Sequence, residues 1–241
     1  MSLSVCPLSA DETITISMAS IPEREEGMLA TVERLLPYCD YFDVCLNNYP
    51  NYHYPTLDDP KITIIRTRED QKVGARGKFY LAHRTPGYHL TVDDDIDYPY
   101  DYVPKLIAGV ERYGRKAVVG VHGKIFTYPE SHILLNYANE QPQDWPVHML
   151  GTGTIAWHGN LMALPWHAMQ PGKVDDQVAA YAQDNSVPMI VLAHPGGGWM
   201  RDKPDLSLTC SLRRDIRARR ASHDRIMRRK NWRFFTCVPT S

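Results

Sequence analysis

Three consecutive carboxylates, Asp93-Asp94-Asp95, follow the apolar stretch Tyr88-His89-Leu90-Thr91-Val92 without a break. Adjacent carboxylates repel one another, and each prefers water or a counter-charge. At the C-terminal end of a sheet strand they face the crevice where open α/β sheets bind ligands. Hard oxygen donors there suit Mg2+ or Mn2+, with phosphate oxygens and water completing the octahedron. A solvated acidic turn is the plain alternative. The position after an apolar strand and before Tyr98-Pro99 favours ligand binding.

Other residues join this chemistry in one of two ways each. His194 follows the apolar run Met189–Ala193 and precedes Gly196-Gly197-Gly198. It is either a second protein ligand for the metal or a surface loop histidine. Lys78 either pairs with a diphosphate as a point charge or is an exposed helix lysine. Arg24 either contacts a nucleotide or is a charge at a helix start. Gly151-Thr152-Gly153-Thr154 offers hydroxyls and close backbone approach to a sugar, or marks a bulge or tight bend. Asp175 and Asp176 either serve the sugar or acceptor hydroxyl, or are favourable charges in a first helical turn. His122 reads as a satisfied strand histidine. Tyr98, Tyr100 and Tyr102 line a sugar cleft or pack the acidic loop.

The elements that must hold these residues alternate between strand and helix in the first half of the chain, which implies an α/β sheet. Strands are expected at Thr13–Ala19, Phe42–Leu46, Ile62–Ile65, Tyr88–Val92, Ala117–Val121 and Pro188–Ala193. Helices are expected at Arg24–Leu36, Gly77–His83, Tyr102–Tyr113 and Asp175–Asp184, and an Arg-rich one at Leu212–Lys230. Residues 128–146, irregular and rich in Pro, Asn and Gln, read as a long loop.

The 241 residues, 43% hydrophobic and 23% charged, exclude a wholly disordered chain. No apolar run approaches the ~18 residues of a membrane span, and no secretory signal is visible. Five cysteines without a CxxC pair suit neither a zinc site nor a disulfide framework, so a reducing cytoplasm is expected. Residues 201–241 carry 12 Lys and Arg against 4 Asp, a net +8, whereas residues 1–200 carry 15 against 24 Asp and Glu, a net −9. The sequence holds no GxSxG, GxxxxGK or GxGxxG fingerprint. The basic end has no recognised nucleic-acid-binding pattern, so no nucleic acid partner is expected.

Val92-Asp93-Asp94-Asp95-Ile96-Asp97-Tyr98-Pro99 resembles the DxD segment of nucleotide-sugar glycosyltransferases with the GT-A fold, in particular the N-acetylglucosaminyltransferases of heparosan-type capsule synthesis. Other segments are similar in the same order: Ser17–Pro22 with Arg24, Val73–Phe79, Val119–Gly123, Leu150–Thr154, Val174-Asp175 and Ile190–Trp199. The similarity spans residues 13–200. Asp97 stands where the family has an apolar residue, and His194–Gly198 replaces a more basic loop.

The resemblance implies a GT-A-like, Rossmann-related mixed sheet flanked by helices, placed over residues 1–206; the charge split, and not the resemblance, sets a basic helical tail apart at 207–241. The resemblance also implies a retaining, metal-dependent transfer of N-acetylglucosamine from UDP-N-acetylglucosamine, forming an α-linkage to the glucuronic-acid end of a growing capsule-type polysaccharide. In that reading Mn2+ or Mg2+ sits on Asp95 and His194, with Asp94 sharing the metal shell and Asp93 meeting ribose or uracil. Ser20, Arg24, Lys78, Gly151, Thr152, Gly153 and Thr154 join Asp93 and Asp94 in holding the nucleotide sugar. Asp175 and Asp176 are catalytic. The partners are the UDP-sugar donor and the glycan acceptor; the basic charge of the tail points to a partner glycosyltransferase or the anionic inner membrane face, with a merely solvated helix as the plain alternative. Two competitors are a nucleotide-sugar nucleotidyltransferase and a non-catalytic glycan-binding subunit. The first lacks its usual Gly-rich, Arg-containing loop, since Ser20-Ile21-Pro22 occupies that place.

Overall fold

The computed structural model describes residues 12–68, 71, 73–81, 86–127, 131–170, 172–203, 232–235 and 237–240. In chain order the elements are β1 (Thr13–Ser20), α1 (Glu25–Leu35), β2 (Tyr41–Leu46), β3 (Ile62–Arg66), β4 (Gly87–Val92), β5 (Ile96–Asp97), α2 (Tyr102–Arg112), β6 (Val118–Gly120), β7 (Gly123–Thr127), β8 (Ser131–Leu135), β9 (Trp145–Pro146), β10 (Met149–Leu150), β11 (Thr154–His158), α3 (Val174–Asp184), β12 (Met189–Val191) and β13 (Arg201–Asp202). Short 3-10 turns connect several of them.

The chain is an α/β protein with a mixed, largely parallel sheet of eight strands in the order β3-β2-β1-β4-β11-β6-β12-β9. Strands β1 to β4 are mutually parallel. β11 runs against both β4 and β6, so β6 points the same way as β4. β12 is parallel to β6, and β9 closes the edge antiparallel. A small sheet, β10-β7-β8, and the pair β13-β5 complete the architecture.

Strand alternation divides the core into two layers. Ala156, Val119 and Ile190 face the layer containing Met28, Val32 and Leu35 of α1 and Leu106, Ile107 and Val110 of α2. Their sequence neighbours Ile155, Trp157, Val118, Met189 and Val191 face the layer containing Val178 and Ala182 of α3. Each fully buried aliphatic side chain contributes about 1.5–3 kcal/mol relative to exposure. The central strands therefore carry apolar residues on both faces and read as continuous hydrophobic runs.

Three expectations need correction. Residues 128–146 are not one loop: they hold β8 and β9, and most of β8 is solvent-exposed, which hid its pattern. The short helix placed at Gly77–His83 is a 3-10 stretch at Gly74–Phe79. β11, buried between β4 and β6, was not foreseen as a strand. Within the expected tail, the described residues 232–235 and 237–240 pack on the body. The Trp232 ring meets Phe126 at 4.7 Å and the Phe234 ring stacks on His148 at 4.1 Å. Thr240 N–H donates to the Arg112 carbonyl at 2.7 Å, and Cys237 packs on the α1–α2 layer. The Arg-rich helix expected at Leu212–Lys230 lies outside the described residues. Cys39, Cys45 and Cys237 are free thiols. Among the described residues no helix is long and apolar enough to cross a membrane.

Candidate active site

β1 is flanked by β2 on one side and β4 on the other, so the strand order reverses between β1 and β4. At such a switch point the loops leaving the carboxyl ends diverge and open a crevice. Ser20 ends β1 and Asp93 follows β4, with Met18 and Val92 paired in register. The acidic run therefore sits at the mouth of that crevice.

Two cations hold it. Arg24 Nη1 stands 3.0 Å from Asp94 Oδ1 and 2.9 Å from Asp95 Oδ2, bridging both carboxylates. Ser20 Oγ donates to Asp94 Oδ2 at 2.7 Å. Lys78 Nζ pairs with Asp93 Oδ1. Burial disfavours the charge on Arg24, yet Asp95 and Asp94 outweigh it and hold the guanidinium above its ordinary pKa. Burial raises Asp94 above the usual carboxylate range despite Ser20 and Arg24. Asp95 is pushed up to about 6, first by burial and then by Asp93, against the pull of Arg24.

Tyr98 ties the acidic turn to the loop before β11. Its hydroxyl accepts the Asp93 N–H at 2.7 Å and donates to the Gly153 carbonyl at 2.7 Å. Gly153 carries no side chain because the Asp93 carboxylate occupies the space: a Cβ there would lie 2.0 Å from Asp93 Oδ2. Thr91 Oγ1 donates to the Thr152 carbonyl at 2.5 Å. Asp175, in the first turn of α3, accepts both the Thr152 N–H at 2.9 Å and the Thr152 hydroxyl at 2.5 Å. Thr154 Oγ1 bonds the Gly151 carbonyl at 3.0 Å. The threonine hydroxyls of this loop are thus engaged within the protein and fix the shape of the loop.

Ser20, Arg24, Lys78, Asp93, Asp94, Asp95, Gly151, Thr152, Gly153, Thr154 and Asp175 are joined through these contacts. Asp176 is buried beside Asp175. His194 stands apart from them. Its Nε2 lies 3.1 Å from the Val121 carbonyl, its Nδ1 3.0 Å from the Pro195 carbonyl, and its ring stacks on Trp199 at 5.4 Å. Burial lowers its pKa despite the two carbonyls, and no carboxylate is among these contacts.

The structure adds residues that sequence reasoning passed over. Lys203 N–H donates to the Asp95 carbonyl at 2.8 Å. Its ammonium binds Thr31 Oγ1 at 2.7 Å and the Gly27 carbonyl at 2.8 Å, and reaches the Asp94 carbonyl at 3.3 Å, fastening the acidic turn to α1. Tyr137 donates to Asp202, which the β13–β5 pairing sets opposite Ile96. No local signal marks either residue, because each acts across a long sequence separation.

Among the described residues no three His, Cys, Asp or Glu side chains converge as a metal cage. The donor set instead suits a metal that takes one or two carboxylates and completes its shell with substrate phosphates and water. Arg24 Nε and Nη2 are buried without a hydrogen-bond partner, a cost that an oxygen-rich ligand would remove. No protein-family model matches the chain, and no curated protein matches it.

Proposed function

We propose that this protein is a metal-dependent glycosyltransferase of the GT-A type, transferring a sugar from a UDP-sugar to a growing capsule-type polysaccharide. The observation that carries this reading is the acidic turn Asp93–Asp95 at the β1–β4 switch point, clasped by Arg24, whose remaining donors are buried and unpaired. A parallel β3-β2-β1-β4 half followed by an antiparallel strand is compatible with the mixed sheet that the resemblance implies.

Asp95 would hold Mn2+ or Mg2+ with Asp93 or Asp94 beside it. The metal would neutralise the diphosphate leaving group as the glycosidic bond breaks. Arg24 offers its free N–H groups to phosphate or nucleotide oxygens. Lys78 orients Asp93. Asp175, fixed by Thr152, presents a carboxylate to sugar hydroxyls. UDP-N-acetylglucosamine as donor, retention of configuration and a glucuronic-acid acceptor rest on the resemblance alone. The net +8 of residues 201–241 supports recruitment to an anionic membrane face or an acidic partner.

The test is UDP release and product formation from UDP-N-acetylglucosamine and a glucuronate-ended oligosaccharide. Turnover in Mn2+ that stops in EDTA is expected. Absence of turnover with every UDP-sugar in Mn2+ would overturn the reading.

A further inference from the structure

His122 lies two residues beyond β6, at the same sheet edge as Ser20 and Asp93, because β6 and β4 run in the same direction. Its ring lies against the face of Gly151, where a Cβ would come 2.9 Å from His122 Cδ2. On the other side it meets the Tyr137 ring at 5.4 Å. Tyr137 is held in turn by its hydrogen bond to Asp202. The imidazole is therefore oriented by packing, with no hydrogen bond from its side chain among the described residues. Nδ1 is buried and unpartnered. His194 and His148 differ, since each has a ring nitrogen on a backbone partner. An oriented ring whose Nδ1 is buried and unpaired carries a cost that a hydrogen-bonding partner would remove.

The surroundings fix the ligand's chemistry. Asp175, Asp202 and Asp93 all act electrostatically on His122, and Lys124 opposes them. Burial is the largest influence and keeps the imidazole below its ordinary pKa, hence neutral near pH 7. A neutral ring among carboxylates does not attract a phosphate or carboxylate, which belong on the Arg24 side. It suits a neutral hydroxyl or amide, which both donates and accepts.

Resting on the glycosyltransferase reading above, we infer that His122 is a specificity-determining residue that hydrogen-bonds the neutral sugar ring of the donor rather than its nucleotide. Gly151 is glycine to admit that ring, and Tyr137 with Asp202 is the brace behind it.

The test is calorimetric titration with UDP and with UDP-N-acetylglucosamine, both in Mn2+, for the parent, His122→Phe and His122→Gln. Phe keeps the packing against Tyr137 and loses both nitrogens; Gln restores a polar group. The expected result is that His122→Phe weakens UDP-N-acetylglucosamine about tenfold and leaves UDP unchanged, with His122→Gln recovering part of the loss. Unchanged UDP affinity also certifies that the variant is folded. If His122→Phe leaves both affinities unchanged, or lowers both equally, the inference is overturned while the glycosyltransferase reading stands. If the parent itself ignores UDP in Mn2+, that reading falls and the inference falls with it.

Discussion

Lys78 and Asp93 form an ion pair with one partner inside and the other outside: the lysine side chain is 1% exposed and the aspartate 36%. The pair thus has a direction. Losing the carboxylate strands a buried cation, whereas losing the lysine leaves a carboxylate that water still reaches. Breaking a wholly buried pair costs about 3–5 kcal/mol, and partial exposure reduces that. Asp93→Asn is expected to destabilise the protein by about 2 kcal/mol in urea, and Lys78→Met by less. The double variant should recover part of the loss. Strict additivity of the two single changes would contradict the pairing.

Asp95 places strain where the proposed chemistry is. Its folded-state pKa of about 6 lies above the ordinary 3.8. The folded protein therefore binds that proton more tightly than the unfolded chain does. Stability falls as pH rises from about 4 to about 6, and the cost is present in full above 6. Asp95→Asn removes the ionisation, so the metal-free variant is expected to be more stable than the parent at pH 8 by about 2 kcal/mol. The difference should vanish near pH 4. The same variant should lose transfer. A variant less stable than the parent at pH 8 would show that the Arg24 pairing outweighs burial and the charge of Asp93.

His194 illustrates how a residue can read as a ligand and be placed as a strut. Its nitrogens meet the carbonyls of Val121 and Pro195, and its ring stacks on Trp199. His194→Ala is expected to lower stability by about 1–3 kcal/mol, through the lost hydrogen bond and packing. Affinity for UDP in Mn2+ should stay within about twofold of the parent. A selective loss of Mn2+-dependent binding at unchanged melting temperature would restore His194 to the metal.

The acidic turn was legible because two local signals coincide: an apolar strand, then three adjacent carboxylates that need a counter-charge. The helix α3 and the place of Asp175 in its first turn were legible for the same reason, a local pattern with a clear period. β11 was not, because four of its five residues are buried, on both faces, and give no alternation, and its pairing with β4 and β6 joins distant parts of the chain. β8 failed in the opposite way: Ile133 and Leu134 are exposed, so no buried face marks the strand. Tyr98 was seen beside the acidic turn, but its hydroxyl bridge to Gly153 spans 55 residues. Lys203 reaches the turn from 109 residues away. Such contacts are products of the assembled sheet and leave no trace in a window of sequence.

The central claim is that the β1–β4 crevice binds a nucleotide diphosphate through a metal on Asp95. Its most direct test is calorimetric titration with UDP of the parent in Mn2+, the parent in EDTA, and Asp95→Asn in Mn2+. UDP should bind the parent in Mn2+, and affinity should fall at least about tenfold, or about 1.4 kcal/mol, in each of the other two. Equal affinity in all three, or no binding of UDP in Mn2+, would contradict it.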